Sequence, residues 1–261
     1  MTIWHTPEEI VETGFQRSRV VMMNEAHDGL KRCIRTRQIG QRILPTAHSC
    51  GARHLAMEAL HVRFAEECNT TRQVPLEKHA TYLAQPEMIE FIQTTLNLGW
   101  TLIPYEAGSL LWLKKKYAIA GQISSIEFQK HQAELLSMEF TNWREEQQAL
   151  NLAAALKSMP DNAPLLVWCG NSHHSKVTAS EWVPMGFQFK QHSGIDPFVV
   201  DQTRTVKFDH NELQLDLVRQ FTDELLQYGG TAGFLAEDAQ SILGDIQYAD
   251  AFLLSIHNEL E

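Results

Sequence analysis

Short apolar runs alternate with longer helical patterns along this chain, and that alternation limits the fold more than any other feature. Arg19-Val-Val-Met-Met23 reads as a short buried strand, His54-Leu-Ala-Met57 as a second and Thr101-Leu-Ile-Pro104 as a third. Pro164-Leu-Leu-Val-Trp-Cys169 is the clearest strand, and Pro197-Phe-Val-Val200, Thr203 to Phe208 and Ala251 to Ile256 add more. Between them lie helices: Gly29 to Leu44, ended by Pro45, and Pro86 to Leu98, stopped by Gly99. Residues 110–159 are helical, broken near Gly121, and Glu212 to Tyr228 is an amphipathic helix closed by Gly229-Gly230. Strands alternating with helices predict an α/β fold, a mostly parallel sheet flanked by helices. A length of 261 residues fits a single domain over 1–261, with 110–159 as a helical insertion.

Several function classes find no support. No run reaches the roughly 18 apolar residues of a membrane helix, and the first residues lack the regions of a signal peptide. Cys33, Cys50, Cys68 and Cys169 have no close-paired spacing, so a zinc ribbon or redox pair is not indicated, and free thiols predict a cytoplasmic protein. The net charge of -10 is uneven: Asp209 to Glu261 holds eleven acids and one Arg, while Arg17 to Arg53 holds eight basic residues and two acids. These read as solvated helix faces, and no nucleic-acid motif accompanies them. A phosphate loop, a dinucleotide glycine fingerprint, His-Glu-x-x-His and a serine nucleophile elbow are all absent.

Parallel sheets place ligands outside the carboxyl ends of their strands, which selects the polar residues to weigh. The first strand runs into Asn24-Glu25-Ala26-His27-Asp28, the second into Glu58, the third into Tyr105-Glu106, and the clearest into Gly170-Asn171-Ser172-His173-His174. Imidazoles and carboxylates gathered at one edge can bind a divalent metal or activate water as general bases. Cys169 and Ser172 adjoin His173, which keeps a covalent nucleophile open, although Cys169 sits in an apolar run. In the helical region Arg144, Gln148 and Asn151 share one helix face, where an Arg can clamp a carboxylate or steady an oxyanion. The blander reading of that stretch is a surface ion-pair stripe with Glu145 and Glu146.

These motifs together resemble a known group. Asn24-Glu25-Ala26-His27 resembles the Gly-Glu-x-His opening of the erythromycin esterase, ChaN and TraB-like superfamily, and Met57-Glu58 its next strand ending. Arg144-Glu145-x-x-Gln148-Ala149 looks like its Arg-Asp/Glu-x-x-Met-Ala helix, and Gly170-Asn171-Ser172-His173 its second Gly-x-x-His. Asn24 stands where the group usually has Gly, a change that Asn's tolerance of unusual backbone angles softens, and Gln148 stands where Met is usual. The resemblance implies an EreA/ChaN-like α/β domain with Glu25, His27, Glu58, Arg144 and His173 as the site.

From this follows an expected hydrolase, esterase- or peptidase-like, acting on a small molecule or peptide, with water activated by the Glu/His cluster. Activation is either direct or through a divalent metal (Mn or Zn) held by His27, His173 and Glu25. The alternative is a ChaN-like haem- or metal-binding protein without turnover, with His174, Tyr105 or His192 against haem. A third reading keeps the fold without the chemistry. No nucleic-acid or membrane partner is expected, and apolar content in the C-terminal third would permit a homodimer.

Overall fold

The strand β1 (Val20–Glu25) is buried at every position, as a strand covered on both faces must be. It lies inside a seven-stranded sheet of order β3-β2-β4-β1-β5-β7-β6 in a computed structural model that describes residues 4–25, 30–75, 82–202, 217–239 and 248–256. The other strands are β2 (His54–Met57), β3 (Thr101–Pro104), β4 (Leu165–Gly170), β5 (Phe198–Asp201), β6 (Thr231–Leu235) and β7 (Ala251–Ser255). All neighbours pair in parallel except β6, which runs antiparallel to β7. The expected mostly parallel α/β sheet is therefore present.

Alternate residues of each strand face opposite layers. Val21, Met23, Leu55, Leu166, Trp168 and Val200 pack against α1 (Pro7–Arg17), α2 (Leu30–Ser49), α3 (Val62–Thr71) and α4 (Pro86–Asn97). Val20, Met22, Ala56, Val167, Cys169 and Val199 pack against α7 (Met138–Ser158) and α8 (Met185–Ser193). The short helices α5 (Ser109–Lys116) and α6 (Ser125–Lys130) precede α7, so the helical stretch around 110–159 is the connection from β3 to β4. A further short helix, α9 (Thr222–Gln227), leads through Gly229 and Gly230, both at positive φ, into β6.

Several expectations shift. The first strand continues two residues beyond Met23, so Asn24 and Glu25 are paired within the sheet, opposite Cys169 and Gly170. Pro45 does not end α2, which runs on to Ser49. The helix α1 was not expected, although Thr6 and Glu9 close a reciprocal capping box over it, with Pro7 in its first turn. Thr203 to Phe208 lies outside the described residues. Exposed apolar side chains among the described residues include Leu110, Leu111, Ile126, Leu136 and Met138, and Leu226 in the C-terminal third. None of the described helices is long and apolar enough to cross a membrane.

Candidate active site

Because the central strands are parallel, Glu25, Glu58, Glu106 and His173 all arrive at one edge of the sheet. Glu25 ends β1, Glu58 follows β2, Glu106 follows β3 by two residues and His173 follows β4 by three. The turns behind two of these are strained: Ala59 has φ 66, and Asn171 has φ 39. Left-handed backbone at non-glycine residues costs roughly 1 kcal/mol or more and collects at functional sites.

His173 is the centre of one cluster. Its Nδ1 lies 2.5 Å from Glu145 Oε1, and its Nε2 lies 3.7 Å from Glu58 Oε1. Glu145 is itself buried and accepts from Trp182 Nε1 at 3.1 Å and from the Met185 amide at 2.6 Å. Burial disfavours a charged imidazole, but Glu58 and Glu145 outweigh it and hold the His173 pKa at about 9. Burial likewise pushes the Glu58 carboxyl up, and His173, Arg144 and the Gly170 amide outweigh it, leaving about 2. At neutral pH this part of the site is an imidazolium between carboxylates.

Arg144 ties the rest together. Its Nη2 donates to Glu58 Oε1 at 2.5 Å and to Glu106 Oε2 at 2.6 Å, and its Nε donates to Glu106 Oε1 at 2.8 Å. Gln148 adds a bond to Glu106 Oε1 at 3.0 Å, and Asn151 donates to the Tyr105 carbonyl at 3.0 Å. The face shared by Arg144, Gln148 and Asn151 is thus turned to the strand ends. Glu145, which a surface stripe would expose, is 1% exposed and braces His173.

Glu25 belongs to the opposite layer. Its Oε2 accepts from Arg37 Nε and from Trp168 Nε1, both at 3.0 Å. Its Oε1 accepts from Arg37 Nη2 at 3.2 Å and from the Tyr82 hydroxyl, and the Tyr82 ring lies under the Arg37 guanidinium. Among the described residues, four N–H and O–H donors thus converge on this carboxylate. Gly170 joins the two layers, since it sits opposite Glu25 in the sheet while its amide donates to Glu58 Oε2 at 2.6 Å. Arg37, Tyr82 and Trp168 were not singled out from the sequence, because an Arg inside a basic stretch and a Trp inside an apolar strand look like surface and core.

Asn24 corrects another expectation. It has ordinary strand geometry and serves as a strand clasp: its Nδ2 donates to the Asn171 carbonyl at 2.6 Å and to Asp201 Oδ1 at 2.9 Å. Its Oδ1 and its backbone carbonyl accept from Gln202, each at 2.7 Å. The positive φ falls on Asn171 instead. Cys169 is buried, its thiol pKa pushed well up by burial and by nearby carboxylates, which removes it as a nucleophile.

His27 lies outside the described residues. Among the described residues no three His, Cys, Asp or Glu side chains come together as a metal site. Among the described residues, Glu25 gives its oxygens to Arg37, Tyr82 and Trp168.

This architecture has known counterparts. The structure is similar to an erythromycin esterase, an EreC mutant in its open conformation, with a TM-score of 0.58 and 12% identity over 97% of each chain. It is similar to ChaN of Campylobacter jejuni, a haem-binding protein, with a TM-score of 0.56 and 11% identity over 95% of this chain and 91% of that one. The fold is EreA/ChaN-like. A toxin effector domain, RRSP of Vibrio vulnificus, aligns with 77% of this chain at a TM-score of 0.45 and 10% identity, and the aligned part is 36% of that longer protein. No protein-family model matches the sequence, and no curated protein does. Within the EreA/ChaN-like fold the likenesses lend nothing to the TraB-like part of the expected resemblance.

Proposed function

We propose that this chain is a hydrolase of esters or amides in which the His173 imidazolium is the general acid. The observation that carries the reading is the clamp on His173, with Glu145 at Nδ1, Glu58 near Nε2 and one-fifth of the side chain open to solvent. An imidazole protonated at neutral pH gives a proton rather than taking one. The base is then a second group, and His27, two residues beyond Glu25, fills that role. Water adds to the acyl carbon and passes its proton to His27. The C–O or C–N bond breaks as Nε2 hands its proton to the leaving atom; solvent then takes the proton from His27 and returns one to His173.

The other residues act by positioning. Glu58 and Glu145 keep His173 charged and oriented. Arg144 neutralises Glu58 and Glu106, so those carboxylates hold their places without repelling each other. Glu25, locked by Arg37, anchors the end of β1 from which His27 departs. The likeness to an erythromycin esterase supports hydrolysis as the chemistry.

A panel of a chromogenic acetate ester, a macrolactone and a dipeptide tests this. One class is turned over, and His173→Ala lowers kcat at least 100-fold on it. A variant as active as the parent chain on every substrate hydrolysed ends the proposal.

The likeness to haem-binding ChaN supports a second reading, haem binding without turnover. Of the three groups considered, Tyr105 and His174 are buried, and the Tyr105 hydroxyl donates to the Trp168 carbonyl at 3.0 Å. His192 is partly exposed, its Nε2 3.9 Å from Glu146. A haem absorbance band on adding haemin, lost in His192→Ala, carries this reading, and the absence of a band ends it.

A further inference from the structure

Three arginines of the basic stretch from Arg17 to Arg53 are answered by acids. Arg17 meets Glu237 at 2.7 Å, Arg37 meets Glu25 at 3.0 Å and Arg42 meets Glu8 at 2.5 Å. Arg35 differs. Among the described residues no carboxylate forms an ion pair with it, although its guanidinium is half-buried. Its Nη2 donates to the Thr231 hydroxyl, and its buried Nε has no acceptor. Thr231 is fully buried and its hydroxyl lies 3.0 Å from that of Ser255. Hydroxyls accept a hydrogen bond but supply no charge, so among the described residues nothing neutralises this half-buried cation.

The location adds a second argument. Ser255 ends β7, which runs parallel to the central strands, and Thr231 begins the antiparallel β6, so both lie at the edge that carries Glu25, Glu58 and His173. At about 4.8 Å per strand, they stand roughly 10–14 Å along the edge from β1. Gly230 adjoins the guanidinium: a Cβ there would lie 3.8 Å from Arg35 Nη2 and 4.0 Å from Ile256 Cβ. Arg35 and Arg37, two positions apart on α2, point to opposite sides of the helix, one toward β6 and β7 and the other to Glu25.

We propose that Arg35, with the Thr231 and Ser255 hydroxyls, forms an oxyanion subsite at the carboxyl edge of the sheet that takes a carboxylate or phosphate group. The guanidinium supplies charge and paired N–H donors, and the hydroxyls supply further donors once they turn toward an anion. The subsite stands apart from the hydrolase reading, since its test reads binding and not turnover.

Isothermal titration with inorganic phosphate at constant ionic strength decides it, with acetate as the carboxylate probe. The wild-type chain binds one anion, Arg35→Gln weakens binding at least tenfold, and Thr231→Val weakens it in the same direction. Arg53→Gln, which removes an exposed arginine outside the subsite, keeps the affinity. Where Arg35→Gln does not fold, Thr231→Val decides alone. Absence of phosphate and acetate binding in the wild type overturns the proposal, as does equal affinity in the decisive variant.

Discussion

His173 Nδ1 lies 2.5 Å from Glu145 Oε1, and Glu145 is buried on α7, a helix that belongs to the same layer as Glu58 and not to that of Glu25. The imidazole is therefore braced from behind by a helix while its Nε2 turns toward the strand ends. Glu145→Gln keeps the shape and removes the charge. The expected result is a fall in the His173 pKa from about 9 toward its ordinary 6.5, read by NMR titration, and an alkaline limb of the rate profile that moves down with it. An unmoved pKa counts against the clamp.

The same clamp sets a pH dependence of stability. A folded pKa of about 9 against an ordinary 6.5 means the contribution is whole below pH 6.5 and is lost as pH rises through 9. It is worth at most about 3 kcal/mol. For Glu58 the window is acidic: its contribution is whole above 4.5 and is lost as pH falls through 2. Denaturant midpoints at pH 6 and 9.5, compared between wild type and His173→Gln, should converge at the higher pH.

Arg144→Met should leave two buried or half-buried carboxylates facing each other. We expect a loss of about 3–5 kcal/mol, the usual cost of breaking a buried charge network. Arg144→Lys should recover little, because one ammonium cannot reproduce the fork that reaches Glu58 and Glu106 together. Urea unfolding of the two variants measures both.

Gly186 sits where a methyl group would come 2.1 Å from the His174 carbonyl oxygen. Gly186→Ala must push away the turn that carries His173. We expect more than about 2 kcal/mol of destabilisation together with lost hydrolysis. Full activity in a stable Gly186→Ala chain would show that the turn is not fixed by this contact.

Asn24→Gly restores the residue usual in the resembling group, yet it removes the clasp to Asn171, Asp201 and Gln202. A loss of about 2–3 kcal/mol is expected, since several buried partners lose their bonds at once. A more stable glycine variant would contradict the clasp.

The sheet was legible because buried parallel strands leave uninterrupted apolar runs, as Leu165 to Cys169 do. Glu58 and His173 were legible because polar groups at strand ends are hard to explain by solvation, and Arg144 through the helix face it shares with Gln148 and Asn151; the structure brings those three together. Their partners were less so. Glu145 reads as one more charge on a helix until the register of α7 against α8 turns it inward. Arg37 is indistinguishable in sequence from Arg42, which meets Glu8 at the surface, because only the tertiary fold decides which arginine finds a buried acid. Pro45 misled for a related reason: packing of α2 against the core overrides its local preference.

The strand order carries a consequence for how the molecule comes into being. β4 separates β1 from β2, yet it is synthesised after both, more than a hundred residues beyond the first. While the ribosome is still making the helices before residue 165, the two earlier strands have no hydrogen-bonded route to one another, and their inner edges stand open to other chains. Gly170 then closes the seam and brings Glu25 and Glu58 to either side of itself in one event. The gap that β4 fills is thus the one that creates the site, so a nascent chain has no competent centre until this strand is seated.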